Sequence, residues 1–153
     1  MKILPVASRM KLCPMYLLDT NVISEIRKKD RADPGVRQFF AWVDADDVPI
    51  YLSVVTIGEL RRGIEQLRHR GDAVQAEQLE AWLQRILTEY SDCILAFEEE
   101  AAQIWGRLRA PHPEHALDKQ IAATALIYDL TVVTRNQNDF IATGARVLNP
   151  FEQ

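Results

Sequence analysis

The chain has 153 residues, the length of one domain with little room for a second. Hydrophobic residues make up 48% and charged residues 26%, which excludes a disordered tail, a collagenous repeat and a small disulfide scaffold. Its 22 acids against 18 bases give a net charge of −4. That argues against a basic protein that coats nucleic acid, though not against an enzyme that meets phosphates through metal ions.

The two cysteines, Cys13 and Cys93, are far apart and have no secretory context, so they read as ordinary thiols. No run approaches the ~18 apolar residues of a membrane span. Residues 1–14 carry Lys2, Arg9 and Lys11 among apolar residues. Their uncharged stretch, Ile3 to Ser8, is too short for the apolar region of a signal peptide. The expectation is an N-terminal extension over 1–14, a single domain over 15–153, Met10 or Met15 as alternative starts, and a cytoplasmic protein.

Met15 to Leu18 reads as a buried strand ending at Asp19. Thr20 to Lys29 reads as a helix with Val22, Ile23 and Ile26 on one side. Asp33-Pro34 is a helix start signal, an N-cap acid before proline. The helix it opens runs to about Val43, with Val36, Phe39, Phe40 and Val43 at helical spacing. Ile50 to Ser53 is a second strand. Helices follow from Val54 to His69 and from Ala73 to Tyr90. Cys93 to Phe97 is a third short strand, and Glu98 to Arg109 is a helix with an acidic first turn. After the loop at Pro111 and Pro113, Glu114 to Asp129 is helical. Leu130 to Thr134 is a fourth strand, and Arg146 to Leu148 forms a fifth at the edge. Continuous apolar strands separated by helices imply an α/β fold, with a parallel sheet of four to five strands covered on both faces.

In such sheets the chemistry lies beyond the carboxyl ends of the strands. Four polar clusters fall there. Asp19 directly follows the first strand, within Leu17-Leu18-Asp19-Thr20-Asn21; a helix N-cap explains it equally well. Glu59 lies one turn into the helix after the second strand, with Gly58 beside it and Gly63 on its face. Those glycines would let another segment approach closely. Asp118 opens an alanine-rich helix, at the end of the stripe Ile121, Ala122 and Ala125. Asn136 and Asp139 follow the fourth strand in a polar loop or short turn. Each acid alone has an ordinary explanation as a cap, a solvated side chain or a turn former. Together they would converge at one sheet edge, and clustered carboxylates repel unless something neutralises them. Hard oxygen ligands suit Mg²⁺ or Mn²⁺, as in metal-assisted phosphodiester hydrolysis.

These segments resemble the four signatures of PIN-domain ribonucleases. They are Leu18-Asp19-Thr20-Asn21, Thr56 to Gly63, Asp118 to Ala125, and Val133-Thr134-Arg135-Asn136 with Asp139-Phe140. Their order and spacing are similar to VapC toxins of the FitB-like branch, as is the closing Leu148-Asn149-Pro150-Phe151. The likeness spans about Met15 to Phe151. It implies an α/β/α sandwich around the parallel sheet, Mg²⁺-dependent endoribonuclease activity, and inhibition by a VapB-type antitoxin. Carried over by position, Asp19, Glu59, Asp118 and Asp139 match the acidic quartet. Asn136 matches the polar residue that helps order the site, and Thr20 the small hydroxyl after the first acid. Asp19 and Asp118 would hold the principal Mg²⁺, and Glu59 and Asp139 would orient water or complete a second metal site. Water rather than a ribose hydroxyl would attack, leaving a 5′-phosphate. The residues before Met15 depart from the family pattern and put the assigned start in question. Setting the quartet aside leaves acids and bases in equal number, so the excess acidity would be a local metal socket.

Two other readings compete. A haloacid-dehalogenase-like phosphatase needs a second aspartate where Asn21 stands, and asparagine cannot exchange the proton. An inactive PIN-like binding module would keep the fold without the chemistry. Arg61, Arg62 and Arg135 lie near the site in sequence and are candidates for RNA phosphate contacts, or for local ion pairs. His112, His115 and His69 lack zinc-ligand spacing and read as loop or helix-start residues. Trp42, Trp82 and Trp105 read as core or interface. Exposed apolar parts of the helices from Val36 and Ala73 are candidates for a homodimer face or an antitoxin groove.

Overall fold

The computed structural model describes residues 15–152, so the expected extension over 1–14 lies outside the described residues. Five short parallel strands form one sheet: β1 Tyr16–Leu18, β2 Ile50–Ser53, β3 Ile94–Leu95, β4 Thr131–Val133 and β5 Arg146–Leu148. Seven helices connect them: α1 Thr20–Ile26, α2 Pro34–Ala45, α3 Val54–His69, α4 Ala73–Glu89, α5 Glu99–Arg109, α6 Ala116–Tyr128 and α7 Gln137–Ile141.

The strand order is β3-β2-β1-β4-β5. The chain moves outward from β1 to β3, then returns past β1 to lay down β4 and β5. The direction of winding therefore reverses at β1 and β4, and a crevice opens beyond their carboxyl ends. Register fixes what lines it. Leu18 pairs with Leu52 on one side and with Val133 on the other. Asp19 and Thr134, the next residues, thus emerge side by side, and the Asp19 N–H donates to the Val133 carbonyl at 2.9 Å.

Successive strand side chains point to opposite faces, so the sheet separates two cores. Leu18, Leu52 and Val133 pack with Val36, Phe39, Ile64 and Leu83 from α2, α3 and α4. Leu17, Tyr51 and Val132 pack on the other face with Ile121, Ala122 and Ala125 of α6 and Phe140 of α7. Burying each large apolar side chain contributes roughly 1.5–3 kcal/mol. The small residues of α6, buried from Ile121 to Ala125, allow that helix to lie close to the sheet. The α/β/α sandwich expected from the sequence is the architecture found.

Four of the differences from the sequence reading have a local reason. The first helix stops at Ile26, and a separate 3₁₀ turn covers Lys29–Arg31. The break lets Glu25 accept hydrogen bonds from Lys28 Nζ and the Asp33 N–H, both at 2.9 Å. β3 shortens to two residues because it pairs only with the end of β2. α6 begins at Ala116, since His115 takes the left-handed conformation (φ 53°) and cannot be helical. The polar loop expected around Asp139 contains the short helix α7, anchored by the fully buried Phe140.

The close approach expected at Gly58 and Gly63 does not occur. A Cβ at either would meet nothing within 4 Å. It occurs at Gly35, where a Cβ would stand 2.1 Å from the Pro150 carbonyl oxygen. Asp33 there caps α2 and also accepts from the Glu152 N–H, tying the C-terminal segment to the start of that helix.

Candidate active site

Asp19 is 3% exposed and has three hydrogen-bond partners. Its Oδ1 accepts from the Thr20 N–H at 2.8 Å, so it caps α1 as well as facing the crevice. Its Oδ2 accepts from the Thr134 hydroxyl at 2.8 Å and lies 3.4 Å from Asn21 Nδ2. Burial pushes its carboxyl pKa up, the hydrogen bonds from Thr134 and Thr20 oppose that, and the charges of Glu59 and Asp139 push it further up. A buried carboxylate beside two other acids is costly in its charged form.

Glu59 enters from α3, which begins immediately after β2 with Ser53 as its cap. The Thr20 hydroxyl donates to Glu59 Oε1 at 2.8 Å, joining the first turn of α1 to α3. Thr20 is therefore the bridge between the first two acidic segments.

Asp118 sits in the first turn of α6. Its pKa is pushed up to about 6 by burial and by the charges of Asp19, Asp139 and Glu59, with His115 opposing. Four acids distant in sequence thus act on one another electrostatically. Asp139, on α7, lies with Oδ1 3.5 Å from His115 Nε2. His115, Asp118 and Asp139 each offer one ligand atom, and these atoms all lie within 4.8 Å of one another.

Asn136 lies at the N-cap of α7 but makes no side-chain cap bond. Its backbone N–H donates to Thr134 Oγ1 at 2.9 Å. Asn21 also ties the two strand ends together. Asn21 Oδ1 accepts from the Arg135 N–H at 3.1 Å, and its Nδ2 reaches Thr134 Oγ1 at 3.3 Å. The Thr134 hydroxyl therefore joins both strand ends.

Sequence reasoning passed over four residues here. Thr134 is a buried hydroxyl closing an apolar strand, and Asn21 follows the first acid by two; both were visible in the motifs. His115 stands three residues before Asp118, a signal set aside with the other histidines. Lys119 is almost fully buried and donates through Nζ to the Glu114 carbonyl, fixing the segment that carries His115.

The arginines divide. Arg61 is held by Glu80 at 2.6 and 2.8 Å, so the local ion pair is its role, linking α3 to α4. Its pKa is raised, and that of Glu80 lowered, by those bonds. Arg135 lies over the Phe151 ring, 4.5 Å from its centroid. Arg62 is exposed. The tryptophans take packing roles. Trp42 stacks edge-on against Tyr16, Trp105 donates to the Ala116 carbonyl, and Trp82 lies beneath Arg27. A groove of about 320 Å³ between α1, α3 and α4 runs from Thr20 and Glu59 to Leu67, Leu79 and Trp82. Of the two helices expected to offer an apolar face, α4 lines this groove and α2 does not.

Comparison with known proteins identifies the family of the fold. The PIN domain family matches residues 16–145. Toxin FitB of Neisseria gonorrhoeae is 40% identical over 146 residues, covering 90% of this chain and 99% of that protein. A VapC ribonuclease of Sinorhizobium fredii is 33% identical over 145 residues, covering 90% of this chain and 99% of its own length. Among solved structures, FitAcB from N. gonorrhoeae superposes with a TM-score of 0.68 at 39% identity, covering 89% of this chain and 98% of that one. FitAB bound to a DNA fragment superposes with a TM-score of 0.69 at 36% identity, covering 91% and 97%. The strand order, the crevice at β1 and β4 and these likenesses have one explanation: the chain belongs to the PIN-domain family.

Proposed function

We propose that the chain is a metal-dependent endoribonuclease and the toxin of a toxin–antitoxin pair. One observation carries the reading: Asp19, Glu59, Asp118 and Asp139 come from four separated segments yet bear on one another electrostatically at one crevice. Burial and the neighbouring charges raise the Asp19 and Asp118 carboxyl pKa values, so the grouping is unfavourable without a cation. The oxygen donors fit a hard divalent ion such as Mg²⁺ or Mn²⁺. Asp19 and Asp118 would hold it, with Glu59 and Asp139 beside them. When bound, such an ion lowers the pKa of water and offsets charge on phosphoryl oxygens.

The chain's own residues supply position. Thr134 and the Thr20 N–H fix the Asp19 carboxylate. Thr20 holds one oxygen of Glu59, leaving the other to accept a hydrogen bond from water. Attack by water on phosphorus leaves a 5′-phosphate and a 3′-hydroxyl. The test is to map RNA ends produced by the wild-type protein and by Asp118→Asn. Wild type should give 5′-phosphate ends and the variant none. Equal cleavage by both would refute the reading.

The relatives FitB and VapC carry the names of a toxin and a ribonuclease, and the solved neighbours include complexes named FitAB and VapBC. By that likeness a VapB-type antitoxin is the expected partner, seated in the groove between α1, α3 and α4, with a homodimer of the toxin as the expected assembly. RNA as the proposed substrate supports a cytoplasmic location. No helix among the described residues is long and apolar enough to cross a membrane.

A further inference from the structure

We propose that His115 is a ligand of the cation site, so that this chain binds its metal through an imidazole nitrogen as well as carboxylates. The proposal rests on the metal-site reading above and goes beyond its four acids. His115 Nε2 lies 3.5 Å from Asp139 Oδ1, and one ligand atom each of His115, Asp118 and Asp139 falls within 4.8 Å of the others. Ligands about 2.2 Å from a common ion stand roughly 3 to 4.4 Å apart. Small side-chain rotations therefore suffice to bring all three onto one ion. The His115 side chain is 51% exposed, which leaves it free to make that rotation.

Its backbone is held more firmly. Lys119 binds the Glu114 carbonyl, α6 begins at Ala116, and Trp105 holds the Ala116 carbonyl at 2.9 Å. The residue is thus presented from an anchored corner between α5 and α6. A nitrogen donor shifts preference from Mg²⁺ toward first-row transition ions, for which imidazole is a suitable ligand. The consequence is a site that takes Mn²⁺ more tightly than an all-carboxylate socket would.

The test uses the full chain loaded with Mn²⁺ alone, without RNA. Pulsed electron paramagnetic resonance should detect ¹⁴N coupling from a directly bound imidazole. His115→Ala and His115→Gln should abolish that coupling and weaken Mn²⁺ binding about tenfold, the scale on which outer contacts already tune metal affinity. Mg²⁺ affinity should change far less. Bound Mn²⁺ without nitrogen coupling, or coupling that persists in His115→Ala, would overturn the role of His115 while sparing the carboxylate site. No Mn²⁺ binding at all would overturn the site itself, and this proposal with it.

Discussion

The two sides of the crevice are built differently. On the β1 and β4 side, Asp19 is buried and its oxygens are engaged by Thr20, Thr134 and Asn21. On the α6 and α7 side, Asp118 and Asp139 are half-buried and stand beside the exposed His115. Asp19 is fixed by the same strand pairing that makes the sheet, so its geometry follows directly from the fold. Asp118 and Asp139 come from the starts of two helices, one of them only five residues long. The first side is a rigid anchor; the second can adjust its side chains around a ligand. A site that closes on a cation and a phosphate needs both.

The largest expected effects come from removing an acid on either side. Asp19→Asn and Asp118→Asn should each lower RNA cleavage on the order of a thousandfold, because ligand loss removes transition-state charge stabilisation. Steady-state cleavage of a labelled RNA measures both. A next tier concerns the rigid side alone. Thr134→Val removes the hydroxyl that links Asp19 to Asn21 and to the Asn136 N–H. It should cost about 10–100-fold in activity or metal affinity, as loss of an orienting partner does. Asn136→Ala should have the smallest effect of these, since its backbone and not its amide makes the contact. If Asn136→Ala proved as damaging as Thr134→Val, the account of the rigid side would be wrong.

Acidity distinguishes the other side. The Asp118 carboxyl is raised to about 6 from an ordinary value of 3.8. Between those values the folded, metal-free protein holds a proton that the unfolded chain has released. Its contribution to stability is therefore complete below about pH 4 and is lost as pH rises toward 6 and above. Thermal melts of metal-free wild type and Asp118→Asn should show the variant relatively more stable at pH 7, with the gap closing toward pH 4. Saturating Mg²⁺ at pH 7 should stabilise wild type far more than the variant. A gap that is constant across this range would contradict the raised pKa.

Much of this was legible in the sequence, and the remainder was hidden for physical reasons. β2, α3 and β5 begin and end where patterning and capping put them, because Ile50 to Ser53 is an unbroken apolar run closed by a serine that caps the next helix. All four acids could be placed at strand ends or helix starts from local signals. The roles of Thr134 and Asn21 could not. They depend on β1 lying beside β4, a pairing between segments more than 110 residues apart. α7 was hidden because its polar residues describe a turn, and Phe140 helps to organise it only once a core exists to receive the ring. His115 was hidden by its exposure and by a left-handed backbone that helix periodicity does not reveal. Arg61 was read from proximity in sequence, whereas its partner Glu80 lies across a helical hairpin.

The central claim is that these carboxylates act through a divalent cation. Its most direct measurement is RNA cleavage by the purified chain at pH 7 in Mg²⁺, in EDTA, and in EDTA with Mg²⁺ or Mn²⁺ restored. The account predicts cleavage to 5′-phosphate ends in Mg²⁺, none in EDTA, and recovery with either ion. Cleavage that continues undiminished in EDTA would contradict it.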